Sequence, residues 1–277
     1  MSYKDGFILK GEGKKALILL HGLTGSPFEL RWIGGKFNQE GYDVYCPILP
    51  GHCSTIKDLE KTKWQDWLEA GQTLLKTIEK DYEEIYLAGL CVGGMIALLL
   101  SEKSEKVKAV ASWSPLVYLD GWTIPKAVVF LPLVLSTPLK HIFYFKEKYP
   151  YGIKNDKVRK KVLSLAEKTS FVYDRFTGIV LKELLNFSKY LIKQLPTITK
   201  PTIIIHSKYD DVSSVKSAYT IYQNISSQKK KLLILENSYH MITIDNDKET
   251  VFEQTKEFFE IDTEKSLETN SCHEVKV

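Results

Sequence analysis

The sequence predicts an α/β fold: a mostly parallel sheet, helices on both of its faces, and a helical insert in the second half. Three observations predict it. Short apolar runs alternate with amphipathic stretches up to Pro115, the alternation stops from Leu116 to about Pro196, and it resumes from Thr202. Strands separated by single helices run parallel, because each helix carries the chain back to the edge where it started. The expected division is a core of residues 1–115 and 197–262, a helical cap of 116–196 and a flexible tail of 263–277.

The elements follow in order. Phe7–Leu9 reads as a short strand, Gly11-Glu12-Gly13 as a turn, and Ala16–Leu20 as a buried strand. Ser26-Pro27 supplies an N-cap and a first helical residue, opening a helix whose face carries Trp32, Ile33 and Phe37. Gly41 stops that helix before the strand Tyr42–Cys46. Trp64, Trp67, Leu68, Gly71, Leu74, Leu75 and Ile78 recur at helical spacing ahead of the strand Ile85–Ala88. A helix from Val92 to Ser101 and a strand from Val107 to Trp113 complete the first half. In the insert, Trp122–Phe145 is apolar and interrupted by proline, Lys157–Lys193 is amphipathic and lysine-rich, and no strand is expected. Thr202–His206 and Lys231–Leu235 are the last strands, each followed by a polar loop and a helix. Beyond Asp262 the sequence is polar and without pattern.

Composition narrows the classes. With 277 residues, 44% of them hydrophobic, the chain has material for a large core, which excludes disordered and fibrous classes. The longest apolar run, Ala127–Leu135, is too short to span a bilayer. The N-terminus lacks the charged-then-apolar layout of a signal peptide, and the four cysteines show neither CxxC nor disulfide-framework spacing. A reducing, cytoplasmic setting is the expectation. The net charge of +4 is too small to argue for nucleic acid. From Leu116 to Leu195, however, 14 Lys and Arg face 6 Asp and Glu. That basic insert fits transient contact with an anionic membrane surface or substrate, and equally a solvated lysine-rich helix face. No metal constellation or phosphate-cradling loop appears, so no cofactor is expected.

The chemistry centres on Gly89-Leu90-Cys91-Val92-Gly93, which leaves a buried strand and opens a helix. In a G-x-S-x-G elbow the sharp turn exposes the central side chain at the carboxyl edge of the sheet, and close backbone approach demands the glycines. Here cysteine holds the nucleophile position. With 16 glycines and 4 cysteines, roughly one hundredth of a G-x-C-x-G match is expected by chance. His21-Gly22-Leu23-Thr24-Gly25 follows the strand ending at Leu20, and with the helix start after Cys91 it offers the N–H groups of Leu23 and Val92 as an oxyanion hole. A base and its orienting acid should follow in the order nucleophile, acid, histidine. Asp210, with Asp211 as the alternative, lies just past one late strand, and His240 lies past the next. His21, His52 and His206 read as loop-holding side chains, whereas His141 lies in the insert and His273 in the tail.

Together these residues resemble the α/β-hydrolase superfamily, and within it the bacterial carboxylesterase and monoacylglycerol lipase branch. The matching pieces are LILLHGLTGSPFELRWIG (Leu17–Gly34), GYDVYCPILPGHC (Gly41–Cys53), IYLAGLCVGGMIAL (Ile85–Leu98), HSKYDDV (His206–Val212) and NSYHMITID (Asn237–Asp245). The resemblance implies an eight-stranded, mostly parallel sheet under a cap, with Asp210 as catalytic acid and His240 as base. It implies a hydrolase of carboxylic esters, acyl or monoacylglycerol-type, working through a covalent acyl-enzyme on a small-molecule acyl ester. A thioesterase or acyltransferase on the same triad, or an impaired ligand-binding homologue, are the alternatives. Two departures stand out: the family's serine is Cys91, and its Gly-His-Gly loop reads Gly51-His52-Cys53. The cysteine is open to three readings, namely a native thiol nucleophile, an introduced replacement of serine, or a natural loss of hydrolysis. The insert's apolar residues, Trp122, Ile124, Val128–Leu131, Leu133–Leu135, Phe143 and Phe145, are available for an acyl pocket or for the cap's own core. The oligomeric state is not legible in the sequence.

Overall fold

The computed structural model describes the backbone of residues 6–146, 148–169, 173 and 175–271, with side chains except at 166–169 and 261–271. Its strands are β1 (Phe7–Leu9), β2 (Lys15–Leu20), β3 (Asp43–Cys46), β4 (Glu84–Leu90), β5 (Val107–Trp113), β6 (Tyr144–Lys146), β7 (Arg175–Thr177), β8 (Thr202–Ser207) and β9 (Lys230–Leu235). Its helices are α1 (Arg31–Gln39), α2 (Ile56–Glu60), α3 (Trp64–Ile78), α4 (Val92–Leu100), α5 (Leu131–Ser136), α6 (Asp156–Thr169), α7 (Gly178–Gln194), α8 (Lys216–Asn224) and α9 (Lys248–Ser271).

Seven strands form the main sheet in the order β1-β3-β2-β4-β5-β8-β9. All neighbours are parallel except β1, which runs antiparallel along β3. The expected eighth strand is not formed by the described residues, because Phe7–Leu9 alone covers the outer edge of β3. The central strands read as unbroken apolar runs because both faces are covered: every residue of β2 from Ala16 to Leu20 is buried, as is every residue of β8. Helix α4, VGGMIALLL, is buried all round. Helix α3 instead turns one stripe inward, Trp67, Gly71, Leu75 and Ile78.

After β2 the chain crosses to β3 on one side; after β3 it returns to β4 on the other. The strand order therefore reverses between β2 and β4, which opens a crevice at their carboxyl ends, where ligands bind in such sheets.

The insert leaves after β5 and re-enters at β8, its direct neighbour. Contrary to expectation it holds strands: β6 and β7 pair antiparallel, Tyr144 opposite Thr177 and Lys146 opposite Arg175. Three-residue strands separated by a helix carry no readable periodicity. Helix α7 packs on the core helices α3 and α4, with Trp64 stacked on buried Phe187 at 5.4 Å. The closing helix α9 continues to Ser271, beyond the break expected at 262. No glycine or proline interrupts 263–271, so the backbone has nothing to stop it. Cys272 and His273 lie outside the described residues.

Candidate active site

Cys91 stands at the turn between β4 and α4 with φ 58° and ψ −118°, a left-handed backbone that an L-residue adopts only under constraint. The constraint is close packing. A Cβ on Gly89 would lie 2.3 Å from the Gly93 carbonyl, and one on Gly93 would lie 2.0 Å from the carbonyl oxygen of Leu20. Glycine at both positions lets the elbow press on β2. The Cys91 N–H donates to the carbonyl of Trp113 at 2.8 Å, which ties the turn to β5.

His240 follows β9 and Asp210 follows β8. The imidazole Nδ1 lies 2.7 Å from Asp210 Oδ2, and His240 lines the same cavity as Cys91. The other Asp210 oxygen accepts the N–H groups of Val212 and Ser213, both at 2.8 Å. Burial opposes charge on both groups, but mutual attraction and these hydrogen bonds outweigh it. Asp210 is held below the usual carboxylate range, and His240 well above the usual imidazole range. Of the two carboxylates, Asp210 is the one that meets the imidazole. The Asp211 side chain instead accepts the N–H of Gly152 at 2.9 Å and, more loosely, that of His240 at 3.4 Å.

Three further histidines brace loops. His21 is buried; its Nε2 accepts the Leu49 N–H at 3.0 Å, so Nδ1 carries the proton and donates to the Gly22 carbonyl at 2.9 Å. His206 bonds the Ser213 carbonyl at 2.8 Å, and His52 the Pro50 carbonyl at 3.1 Å. Leu23 lies in the loop after β2 and Val92 is the first residue of α4. Neither N–H makes a hydrogen bond with another described residue. The two loops touch: a Cβ on Gly22 would lie 3.3 Å from Cys91 Cβ.

A cavity of about 290 Å³ opens over Cys91 and His240, lined mainly by apolar side chains from the core loops and the insert. Of the insert's apolar residues named from sequence, only Ile124 and Phe145 line it. Val129, Phe130 and Leu133 are exposed instead, whereas Leu131 and Leu135 are buried in packing. Among the described residues no three His, Cys, Asp or Glu side chains converge as a metal site.

Two contributors, Glu29 and Tyr173, carried no functional expectation from the sequence; both line the cavity, as does Asp211. Tyr173 bridges the insert to the loop after β3 by donating to the Gly51 carbonyl at 2.7 Å. Glu29 had a readable signal, Ser-x-x-Glu at a helix start, and its side chain does accept the Ser26 N–H at 3.1 Å.

A nucleophile elbow at the sheet's switch point, served by side chains from later strand ends, defines the α/β-hydrolases. Solved structures agree on the fold. One from the metagenome-derived lipolytic enzymes LipS and LipT superposes with TM-score 0.78 at 24% identity, covering 93% of this chain and 98% of its own. A monoacylglycerol lipase from Paleococcus ferrophilus gives 0.77 at 16% identity, covering 92% and 98%. A family profile described as serine aminopeptidase, S33, matches residues 11–247, and the chain belongs to that family. It is 26% identical to a thermostable monoacylglycerol lipase of Bacillus sp. (strain H-257), over 89% of this chain and 91% of that one. It is 27% identical to a carboxylesterase of Bacillus subtilis (strain 168), over 92% and 95%.

Proposed function

We propose that the protein hydrolyses carboxylic esters through a covalent acyl-enzyme on Cys91. The observation that carries this reading is that Cys91 and the Asp210-bonded His240 line one apolar cavity together. The lipase and esterase relatives, aligned over nearly their whole length, support the substrate class.

In this mechanism the His240 Nε2 takes the thiol proton, since Nδ1 faces Asp210, and the sulfur attacks the ester carbonyl. The tetrahedral oxyanion is received by the Leu23 and Val92 N–H groups. His240 then protonates the departing alcohol, and afterwards activates water to cleave the thioester. Asp210 fixes the imidazole tautomer and balances its positive form throughout. The cavity stands at the low end of the ligand-pocket range, which favours esters of short or medium acyl chain. A cytoplasmic setting belongs to this reading, because a working thiol must stay reduced; Cys46, Cys53 and Cys91 form no disulfide among the described residues.

The test is p-nitrophenyl butyrate hydrolysis by the chain as it stands, by Cys91→Ala and by Cys91→Ser. Turnover by the unaltered chain should fall about 10³-fold or more in Cys91→Ala; undiminished turnover there removes Cys91 from the mechanism. A Cys91→Ser form that outruns the cysteine identifies a site shaped for oxygen, in which the longer sulfur bonds slow deacylation. Cysteine itself favours a second reading, acyl transfer through the thioester. An added alcohol acceptor that diverts product from acid to new ester identifies it.

A further inference from the structure

We propose that Glu29 is a positioning residue that holds the Leu23 N–H at the oxyanion site. This rests on the ester-hydrolase reading for its chemistry, although the restraint on the loop does not.

Glu29 is buried, lines the cavity, and makes no ion pair among the described residues, although the His240 charge reaches it. A carboxylate in such a place is costly unless its oxygens are satisfied. Its two oxygens reach opposite ends of the loop after β2. Oε2 accepts the Gly22 N–H and Oε1 the Ser26 N–H, each at 3.1 Å. Between those anchors the Gly25 N–H donates to the Gly22 carbonyl at 3.3 Å, closing the turn.

Leu23 N–H shares a peptide plane with that Gly22 carbonyl. The carbonyl is held by His21 Nδ1 and by the Gly25 N–H. A trans peptide points its N–H opposite to its carbonyl, so fixing one aims the other. Glu29 supplies what the carbonyl contacts alone do not: it restrains the peptides on either side, through Gly22 and Ser26. Gly25 is part of the device, since a Cβ there would fall 1.7 Å from Glu29 Oε1. The carboxylate occupies the space of a missing side chain. Ionised above about pH 7, the carboxylate accepts from both facing N–H donors, whereas a glutamine would turn an NH₂ group toward one of them.

The test compares Glu29→Gln with the unaltered chain on p-nitrophenyl butyrate and on an alkyl trifluoromethyl ketone. The ketone mimics the tetrahedral state: sulfur bonds to the carbonyl carbon, the thiol proton passes to His240, and the carbonyl oxygen becomes the oxyanion. Removing an oxyanion donor outright costs about 10²–10³-fold, so misaiming one of two should lower kcat about 10–100-fold with KM nearly unchanged. Ketone affinity should fall by a similar factor, and amide hydrogen exchange across residues 22–26 should quicken. Gly25→Ala, which displaces the carboxylate while retaining it, should give the same signature and carries the test if Glu29→Gln does not fold. An unchanged kcat, a loss confined to KM, or unaltered ketone affinity overturns the positioning role. Unchanged exchange overturns the restraint itself. Quickened exchange in a chain whose unaltered form turns over no ester keeps the restraint and removes the hydrolase reading.

Discussion

Asp210 is fully buried yet favours its charged form, and its partners explain why. Two backbone N–H groups and the His240 imidazole hold the carboxylate in place. Asparagine there would keep the volume but lose the charge, and its NH₂ could face Nδ1 and reverse the tautomer. Asp210→Asn should therefore lower kcat on the order of 10³–10⁴-fold, with a melting temperature near that of the unaltered chain; loss of less than tenfold would show that His240 works without it. Single residues were unevenly legible. Cys91 and His240 could be located because each follows a readable strand. Asp210 and Asp211 could not be separated, because side-chain direction in the turn after β8 depends on what packs there. Glu29 was missed for a similar reason: its capping signal is local, whereas its place at the cavity arises only when the loop after β2 closes around its side chain.

At the scale of elements, the strap from Tyr149 to Asp156 joins the insert to the histidine loop. Gly152 donates to Asp211 and accepts the Met241 N–H at 2.8 Å, while Asp245 accepts the N–H groups of Lys154 and Asn155. Gly152 has φ +73°, and a Cβ there would lie 2.8 Å from Met241 Cγ and 3.3 Å from His240 Cβ. Gly152→Ala should thus cost about 1–3 kcal/mol through backbone strain and displace His240. A lower melting temperature together with a drop in kcat would be seen by calorimetry and ester turnover; full activity would mean that the strap bears no load on the base. This strap was invisible in the sequence, as was the β6–β7 pair, because both depend on partners far along the chain. The parallel core strands were visible because burial on two faces writes itself as an apolar run, as in Leu17–Leu20 and Ile203–Ile205.

Across the whole molecule, the same burial that shapes the site couples stability to pH. Burial lowers His21 to about 3 and His52 to about 4, and His206 shifts the same way. Between pH 5 and 6.5 the unfolded chain takes up these protons while the folded one refuses them. Their contribution is present above the ordinary imidazole value of 6.5 and is lost as pH falls. Glu29 acts in the opposite sense, because burial raises it from 4.5 to about 7. The folded state keeps that proton after the unfolded state has released it, so its contribution is present in acid and lost as pH rises through 7. Asp211, also raised by burial, and the raised His240 act in the same sense as Glu29. The loss of stability from pH 6.5 to 5 is therefore what the three lowered histidines leave after that opposition. Glu29→Gln removes one opposing proton and should steepen that slope by roughly 1.4 kcal/mol per unit. Urea unfolding at pH 5, 5.5, 6 and 6.5 measures both slopes. Equal slopes in the two proteins would mean that Glu29 is already ionised in the folded state across this range, held so by the Gly22 and Ser26 N–H groups rather than neutralised by burial.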